Sequence, residues 1–466
     1  MSTDELLGDP WAAVIMAAGA GSRMRSRRPK VVHTVGGRPI LRRVVDAVRA
    51  AGIPRIVTVV GPDADDVRSA AGRGVSFAVQ QQQLGTADAV KAAEGACGRD
   101  EQILVLNGDL PLIEPETLRL VRYVHENERA DLTLLTTYSV EASGYSRVKR
   151  DNRDRLVGLI EERDADEADL KIRELNAGVY AFRASWLWSH LKQIAPSAAS
   201  GELYLTDLVR IAAREGGRIT SAPVLPEEAR GVNSRAELAI VEDLAREKVC
   251  DQLMEAGVTL IDPASSYVDD GVRIGRDTIV HPNTTLRGDT VIGEDCEIGP
   301  NSIIRSSRIG DGCRVLASVI EDSIIETGVS VGPFSHLREG AHIEAGAHLG
   351  NYAEVKKSRI GAGTQMHHFS YIGDAKVGRN VNIGAGTITC NFDGKDKHET
   401  IIGEGAFIGS DTMLVAPVTV GEGGRTAAGS VVTRNVAAGS LVVGVPARPR
   451  QPGAHGAATI EESKPA

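Results

Sequence analysis

The segment MAAGAGSRMRSRRPK, near the start of the chain, combines glycines with cationic side chains. Glycines in a turn that opens a helix let backbone N–H groups approach a phosphate closely. Arg23 and Lys30 stand where they could neutralise a polyphosphate. The spacing fits neither GxGxxG nor the P-loop signature, which disfavours dinucleotide binding. A polyphosphate site is one interpretation of this segment, and an ordinary tight turn is the other.

Polar residues that suit a nucleotide and a metal follow along the chain. Gln80, Gln83 and Thr86 carry amide and hydroxyl groups suited to the edge of a base, although a run of glutamines also suits a polar loop. Asp109 ends the apolar run ILVLNGD. A carboxylate at a strand tip beside a phosphate site is a natural Mg²⁺ ligand. The alternative role for Asp109 is to cap a turn or a helix.

Composition limits the classes of protein to consider. The chain has 466 residues, of which 42% are hydrophobic and 25% charged, as in soluble proteins with two domains. Its net charge of −9 argues against nucleic acid as the main partner. Five scattered cysteines without CxxC spacing indicate reduced thiols. Because no apolar run approaches the roughly 20 residues of a membrane helix and no signal-peptide pattern is visible, we expect a cytoplasmic protein without a membrane partner.

Residues 11 to about 233 alternate apolar runs with helical segments. The runs are AAVIMAAG, RIVTVVG, SFAVQ, QILVLNGD and DLTLLTTY, and ILRRVVDAVRAAG is typical of the helices between them. This alternation predicts an α/β domain, assigned to residues 1–233, with a parallel sheet and helices on both faces. Ligands of such sheets bind at the carboxyl ends of the strands.

Residues 234–256 are predicted to form a linker helix. Ser234 and Glu237 have the spacing of a capping box, and Gly257 would end the helix. The alternative is that this segment is the last helix of the first domain.

Beyond residue 262, aliphatic residues recur every six positions. The runs are Ile274, Val280, Leu286, Ile292, Ile298, Ile304; then Ile325, Val331, Leu337, Ile343, Leu349, Val355; then Ile402, Ile408, Leu414, Val420, followed by Thr426 and Val432. Neither a helix nor a hairpin has this period. It predicts a stacked parallel β-helix over residues 257–447, with the aliphatic side chains inside. Residues 390–400 would form an inserted loop, and residues 448–466 a flexible tail.

The motifs of the two halves carry a resemblance to known enzymes. AAGxGxRM…PK, QxxQLGT, GDxPL, GYxR, EExDA, ELNAG, GELYLTD and GVNSR occur in the order seen in sugar-phosphate nucleotidyltransferases. With the hexads, residues 12 to 436 resemble the family of bifunctional N-acetylglucosamine-1-phosphate uridyltransferase/glucosamine-1-phosphate acetyltransferases. The resemblance implies a Rossmann-like nucleotidyltransferase domain, a linker helix and a left-handed parallel β-helix of hexapeptide repeats.

The resemblance also implies two reactions and their substrates. Acetyl-CoA would acetylate glucosamine 1-phosphate, and UMP would then pass from UTP to N-acetylglucosamine 1-phosphate with release of pyrophosphate. Arg23 and Lys30 would be catalytic cations, because an anionic sugar phosphate must attack an anionic α-phosphate. Asp109 and Asn233 would hold Mg²⁺. The residues implied to bind UTP or UDP-N-acetylglucosamine are Ala17, Ala18, Gly19, Lys30, Gln80, Gln83, Gly85, Thr86, Gly144, Glu161, Asn176 and Asn233.

In the acetyltransferase half, the resemblance rests on HLREGAHI, NYAEVKKS, MHHFSYIGDA and NIGAGTITCNFDGKDKH. His368 would be the general base for the substrate ammonium, since imidazole titrates near neutrality, and Asn391 would orient the amine or the base. The implied ligands of the sugar phosphate are Arg338, Lys356, Tyr371, Asn382 and Lys397. The implied acetyl-CoA residues are Ala385, Asn391, Phe392, Ser410 and Ala428. The alternative for all of them is a solvated surface turn.

Several residues depart from the family pattern. Glu339 stands where Pro usually follows Arg338 and brings negative charge beside the phosphate ligands, and Phe392 replaces Tyr. The arginine expected near Gly444 is missing, and Arg448 is the candidate to compensate for it. In the first half the departures are Ala20, Asn107, Ser146 and Ala177.

Two other functions therefore stay open. One is a sugar-phosphate nucleotidyltransferase whose β-helix is a trimerising or regulatory, non-catalytic module, and the other is a non-enzymatic trimeric scaffold that binds nucleotide sugars. A homotrimer is expected by resemblance, because such acyl sites usually form between neighbouring β-helices.

Overall fold

The computed structural model describes residues 11–19, 21–97, 102–139, 144–198 and 200–450. The chain divides into two compact units, Met1–Ala245 and Arg246–Ala466. Ala20 and most of the predicted tail, residues 451–466, lie outside the described residues.

A nine-stranded sheet forms the middle of the first unit. Its strands are β1 (Trp11–Met16), β4 (Arg55–Val60), β5 (Ser76–Val79), β6 (Gln102–Asn107), β7 (Leu132–Tyr138), β8 (Arg147–Arg150), β9 (Leu156–Ile160), β10 (Glu174–Arg183) and β11 (Ile219–Pro223); β2 (Thr34–Val35) and β3 (Arg38–Pro39) pair separately. The strand order is β11-β7-β10-β6-β1-β4-β5, with β8 and β9 attached beside β10. All five predicted apolar runs form strands.

The sequence predicted a parallel sheet, but the sheet of the first unit contains both parallel and antiparallel pairs. Strand β10 runs antiparallel to both β6 and β7, and β8 and β9 are antiparallel to each other. Buried strands are apolar on both faces whichever way they run, so their composition did not specify direction. The pairing of β10 with β7 shifts register between Asn176 and Tyr180. This bulge lies at a predicted site residue.

Helices cover both faces of the sheet, as predicted. They are α1 (Ile40–Ala50), α2 (Asp65–Ala71), α3 (Thr86–Ala92), α4 (Glu94–Cys97), α5 (Pro115–Asn127), α6 (Ala184–His190) and α7 (Asp207–Glu215), followed by α8 (Arg235–Glu255). Alternate residues of β1 enter different cores: Ala13 and Ile15 pack with α1 and α5, whereas Ala12 and Val14 pack with α3 and α7. This two-sided burial is the physical consequence of side-chain alternation along a strand.

Helix α8 begins at the predicted capping box. The Ser234 hydroxyl accepts the N–H of Glu237 at 3.2 Å, and the Glu237 carboxylate accepts the N–H of Asn233 at 2.7 Å. The reciprocal bond therefore falls one residue before Ser234. The boundary between the two units lies within α8, after Ala245.

The second unit is a parallel β-helix with three sheets, here called faces I, II and III. Face I contains Thr259–Leu260, Ile279–Val280, Glu297–Ile298, Arg314–Val315, Ser330–Val331, His348–Leu349, Gln365–Met366, Asn382–Ile383, Phe407–Ile408, Arg425–Thr426, Leu441–Val443 and Arg448–Pro449. Face II contains Tyr267–Val268, Thr285–Arg287, Ile303–Arg305, Val319–Glu321, His336–Arg338, Ala353–Lys356, Ser370–Gly373, Ile388–Cys390, Met413–Val415 and Val431–Val432. Face III contains Arg273–Ile274, Val291–Ile292, Arg308–Ile309, Ile324–Ile325, His342–Ile343, Arg359–Ile360, Ala375–Val377, Thr400–Ile402 and Val418–Val420.

Three hexads make one coil of this β-helix. Leu286, for example, pairs with Ile304, the residue three hexads later. The predicted hexad positions are buried inside the coils, apart from Ile274, which is partly buried. The hexapeptide period thus produces the continuous core that the sequence predicted.

Two deviations interrupt this regular stacking. Ile383 pairs with Ile408, because a loop between Ile388–Cys390 and Thr400–Ile402 lengthens one coil, as predicted. At the other end, Arg448–Pro449 pairs antiparallel with Leu441–Val443. The β-helix unit therefore continues past residue 447, where the predicted tail was expected to begin.

Candidate active sites

Two adjoining cavities lie at the carboxyl ends of the central strands of the first unit. Their volumes are about 370 and 300 Å³. Met16, the last residue of β1, and Asn107, the last residue of β6, line both of them, together with Thr86 and Asp109. This is where ligands of open α/β sheets bind.

The two predicted metal ligands meet at one cation. Lys30 forms an ion pair with Asp109, and its Nζ donates to Asn233 Oδ1 at 2.9 Å. The N–H of Val232 donates to the Asp109 carbonyl oxygen at 3.0 Å and fixes the segment that carries Asn233. One carboxylate and one amide oxygen thus already surround a positive charge. Oxygen donors of these types fit Mg²⁺, which binds few protein ligands and completes its shell with water and phosphate.

The glycine-rich turn packs closely around Lys30. Gly21 has a φ of +62°, and a Cβ added there would lie 2.9 Å from the Cβ of Lys30. Ala17, Ala18 and Gly19 line the smaller cavity. The backbone of the turn therefore approaches the cavity without intervening side chains, as the sequence predicted.

The predicted base-reading loop is held by bonds within the protein. The Gln80 amide nitrogen donates to the Gly85 carbonyl at 3.1 Å and to Asp88 Oδ2 at 2.9 Å. Gln83 Nε2 donates to the Ala18 carbonyl at 2.6 Å, and the Thr86 hydroxyl accepts the N–H of Leu205 at 2.9 Å. Both amide hydrogens of Gln80 are thus engaged, and its side-chain carbonyl oxygen is the group available to a base.

Gly85 is required where this loop meets the GELYLTD segment. Its φ is +129°, and an added Cβ would lie 2.5 Å from the carbonyl oxygen of Leu203. Leu203 in turn donates its N–H to the Leu84 carbonyl at 2.7 Å and accepts the N–H of Ala87 at 2.9 Å. The two motifs therefore form one wall of the smaller cavity.

The larger cavity holds the residues predicted to bind the sugar. Thr206 donates to Glu161 Oε1 at 2.8 Å, and burial raises the pKa of Glu161. Asn176, at the β10 bulge, donates to the Tyr180 hydroxyl at 2.6 Å. The N–H of Gly144 donates to Glu162 at 2.7 Å. These side chains are already oriented by neighbours before any ligand binds.

Arg23 lines the same cavity but makes no ion pair with the residues that the structure describes. It is an exposed cation on a short 3₁₀ turn. The structure thus brings all the predicted nucleotidyl-site residues to these two cavities, with Arg23 at an exposed position.

Sequence reasoning left some cavity residues without a role. Tyr204 and Thr206 lie within the quoted motif GELYLTD, whose order in the chain was the only signal for them. Glu162 lies in the motif EExDA and Glu237 in the capping box of α8, yet both line the larger cavity. A capping residue that also faces a cavity has no sequence signature of its own.

In the β-helix, three of the five residues predicted to bind the sugar phosphate gather where face II ends, a place called corner B below: Arg338, Lys356 and Lys397. Arg338 and Lys356 occupy paired positions in adjacent coils. Lys397, from the inserted loop, lies beside Lys356, whose ammonium lowers the pKa of Lys397. At the same corner, Asn391 is buried and donates to Asp374 Oδ2 at 2.5 Å. Asp374 lies in the motif MHHFSYIGDA, whose place in the chain was its only sequence signal.

The predicted base and three acetyl-CoA residues lie at the opposite edge of face II, called corner A. His368 is exposed in the turn between Gln365–Met366 and Ser370–Gly373. In the following coils Ala385, Ser410 and Ala428 occupy the same corner, linked by bonds such as Gly429 N–H to the Ser410 carbonyl at 2.8 Å. These four residues form one column.

Face II separates the two corners. Lys356 pairs with Gly373 in the next coil. Five residues of extended chain, about 16 Å, separate Gly373 from His368. Tyr371 lies on that face between the two edges. Asn391 is at corner B, so within one chain it does not contact His368.

Two more predicted residues lie away from their expected partners in a single chain. Asn382 belongs to face I, and its strand partners are Gln365 and Phe407. Phe392, in the inserted loop, is exposed at corner B, away from the acetyl-CoA column at corner A. One β-helix therefore does not gather the complete predicted set.

Two further properties concern the described part of the chain. It contains no cluster of three or more His, Cys, Asp or Glu side chains placed to hold a metal ion. Its helices include none with the length and apolar character needed to cross a membrane.

Segments of each unit match family models of known proteins. Residues 13–170 match the family model of the MobA-like NTP transferase domain. Residues 271–306 match the bacterial transferase hexapeptide model, and residues 399–434 the hexapeptide repeat of succinyl-transferase.

Curated relatives match this chain over nearly its whole length. "Bifunctional protein GlmU" of Geobacillus sp. (strain WCH70) is 46% identical over 94% of this chain and 95% of its own. The protein of the same name from Caldanaerobacter subterraneus subsp. tengcongensis is 44% identical over 94% of this chain and 95% of its own, and that of Heliobacterium modesticaldum is 45% identical over 92% and 94%.

Proposed function

Because the chain belongs to the family of bifunctional GlmU proteins, we propose that its two units catalyse successive steps towards UDP-N-acetylglucosamine. The chain is an enzyme with uridylyltransferase and acetyltransferase activities. The β-helix acetylates glucosamine 1-phosphate with acetyl-CoA. The first unit then transfers UMP from UTP to N-acetylglucosamine 1-phosphate and releases pyrophosphate.

The observation that carries the uridylyl proposal is the meeting of Asp109 and Asn233 at the Lys30 ammonium. These two oxygens would hold Mg²⁺, which would supply charge neutralisation for the triphosphate and the departing pyrophosphate. Lys30, on its flexible stem, and Arg23 bind phosphate oxygens and reduce repulsion between the two anionic reactants.

The remaining cavity residues hold the two substrates in place. Gln80, with Gly85 and Thr86 beside it, contacts the uracil edge in the smaller cavity. Glu161 and Asn176 bind the N-acetylglucosamine in the larger one. Because both cavities share Asp109, the sugar phosphate and the α-phosphate meet beside it. Alignment of this kind removes much of the entropic cost of a bimolecular reaction.

For the acetyl transfer, face II supplies the charges at its two edges. Arg338, Lys356 and Lys397 bind the phosphate of glucosamine 1-phosphate, and Tyr371 lies beneath the sugar. His368 accepts a proton from the substrate ammonium. The free amine then attacks the thioester carbonyl, the C–S bond breaks as the amide bond forms, and the departing coenzyme A thiolate takes up the second proton released by the nitrogen.

We propose that the working assembly is a homotrimer, because a single chain holds part of the site elsewhere. Asn382 on face I and Phe392 in the inserted loop would reach the site from a neighbouring β-helix. A closed cyclic assembly places the same pair of surfaces at every interface, so three such sites would be equivalent. The cytoplasmic location expected from the sequence remains a prediction.

Two assays on the purified full chain test the proposed function. Pyrophosphate release is followed with UTP, N-acetylglucosamine 1-phosphate and Mg²⁺, and free thiol release with acetyl-CoA and glucosamine 1-phosphate. We expect both products. Pyrophosphate without thiol would identify the β-helix as non-catalytic, and the absence of both would contradict the proposal for both units.

A further inference from the structure

The phosphate ligands at corner B already contact an anion of the protein itself. Arg338 Nη1 donates to Glu339 Oε1 at 2.9 Å, and Lys356 Nζ lies 3.2 Å from Glu339 Oε2. One carboxylate therefore bridges the two cations with both of its oxygens. A phosphate group that bound both cations would have to take the same position.

The backbone at Glu339 is built for this contact. Its φ is +51°, a left-handed conformation that few residues other than glycine and asparagine adopt readily. Glu339 directly follows the strand His336–Arg338, so the turn directs its side chain across the strand end towards Lys356 in the next coil. The Lys356 ammonium lowers the pKa of Glu339, which keeps the carboxylate ionised.

Other acidic groups complete the charge balance of the cluster. Glu354 Oε1 accepts from Arg338 Nε at 3.1 Å and from Nη2 at 2.6 Å. Asp374 lies close enough to interact electrostatically with Lys397. Three cations thus face three carboxylates. Only Glu339 contacts two of the cations, and its side chain, 54% exposed, is the one able to swing away.

We propose that Glu339 acts as a built-in competitor for the phosphate of the acetyl acceptor and thereby sets the affinity of the acetyl-transfer site. The free enzyme holds Arg338 and Lys356 with this carboxylate in place of phosphate. Binding of glucosamine 1-phosphate displaces Glu339 into solvent, so part of the attraction between substrate and cations is spent on breaking these two contacts. The inference rests on the phosphate-binding role proposed above for Arg338 and Lys356.

The test compares neutral variants at position 339 with the wild-type full chain. In Glu339→Gln the competitor loses its charge, and we expect the KM for glucosamine 1-phosphate to fall about fivefold, the effect of one or two exposed ion pairs, while kcat stays within about twofold. Inorganic phosphate should inhibit the variant at a correspondingly lower concentration. Glu339→Asn, whose side chain suits the positive φ, should behave in the same way if Gln disturbs the turn.

Glu297→Gln is the matched control. Glu297 lies on face I, is similarly exposed and also contacts two basic groups, Arg314 at 3.3 Å and His281 at 3.2 Å. Its neutralisation should leave the KM unchanged. A KM at or above the wild-type value in both position-339 variants would overturn the inference.

Failure of the proposed function gives a different result. If the wild-type chain shows no acetyl transfer, calorimetric titration with inorganic phosphate still compares the proteins. Tighter phosphate binding by Glu339→Gln would then support the competitor role at a site without acetyltransferase activity, and equal binding would reject it.

Discussion

Asp109 and Asn233 come from distant parts of the sequence and meet at one ammonium group. If this is the centre of uridylyl transfer, Asp109→Ala removes the carboxylate that pairs with Lys30, and the rate should fall by at least 10²-fold. Acetyl transfer by the same preparation should not change. Asp63→Ala, which alters an exposed carboxylate after β4, is the control for pyrophosphate release. Wild-type pyrophosphate release by Asp109→Ala would remove Asp109 from the site.

A substitution at His368 provides the corresponding test of acetyl transfer. If it accepts the substrate proton, His368→Ala should lower acetyl transfer by about 10²-fold or more and leave uridylyl transfer intact. Added imidazole should restore part of the rate, because a small base can occupy the vacated space. His367→Ala is the control, since His367 is its exposed neighbour in the same turn. Equal losses in the two variants would indicate a structural effect of the turn and not proton transfer.

The sequence predicted which residues share a site but not all of the contacts between them. It placed Asp109, Asn233 and Lys30 in one site, because each lies in a motif whose order is specific. It could not foresee that Gln80 would donate to Asp88, since that bond depends on how α3 packs against the end of β5. It noted the negative charge of Glu339, but the bridge from Arg338 to Lys356 arises only from the stacking of two coils.

Helix α5 contains a buried ionisable group, the imidazole of His125. His125 of α5 is 1% exposed, with ring nitrogens 2.8 Å from Thr133 Oγ1 and 3.0 Å from Gln102 Oε1. Burial lowers its pKa from 6.5 to about 4. As the pH falls, His125 is therefore protonated in the unfolded chain before it is protonated in the folded protein. The contribution of the neutral imidazole to stability is complete above pH 6.5 and is lost as the pH falls towards 4.

We expect the first unit to lose up to about 3 kcal/mol of unfolding free energy from this group between pH 6.5 and 4. Urea unfolding followed by tryptophan fluorescence measures it, since all three tryptophans, Trp11, Trp186 and Trp188, are in this unit. His125→Asn should be less stable at pH 7 but show a smaller loss over this pH range. An equal loss in the variant would assign the effect to carboxylates elsewhere.

Corner A offers a second prediction for an element. A Cβ at Gly350 would overlap the carbonyl oxygen of His367 in the next coil. Gly350→Ala must therefore displace the turn that carries His368. We expect at least a tenfold loss of acetyl transfer, since small displacements of reacting groups cost about that much or more, with normal pyrophosphate release. An unchanged acetyl-transfer rate would mean that the position of this turn does not limit the reaction.

The elements themselves were predictable to different degrees. Hexad positions and the five buried strands could be read from the sequence, because each periodicity has one structural solution. The antiparallel direction of β10 could not, because apolar runs do not encode direction. The strand Arg448–Pro449 also escaped prediction, since a two-residue pairing has no periodic signal.

At the scale of the whole molecule, the sequence indicated two units joined near α8 but not how the acetyl-transfer residues divide among faces. Arg338 and Lys356 share corner B of face II, whereas Asn382 lies on face I. Faces of one β-helix point in different directions, so a ligand over Tyr371 would meet Asn382 only from another copy. In the proposed trimer, Lys356 and Asn382 of one site therefore come from different chains.

Complementation between inactive variants tests that claim. Lys356→Ala and Asn382→Ala should each lose most acetyl transfer when prepared alone. In trimers formed by co-expressing equal amounts, a site that takes Lys356 from one chain and Asn382 from its neighbour is intact about one time in four, so about a quarter of the activity should return. Lys356→Ala with Arg338→Ala is the control: both residues lie at corner B of one chain, so every site stays defective and no activity should return. If neither mixture recovers activity, Asn382 belongs to the site of its own chain or lies outside the site. Light scattering on the wild-type protein would then show whether the protein forms a trimer.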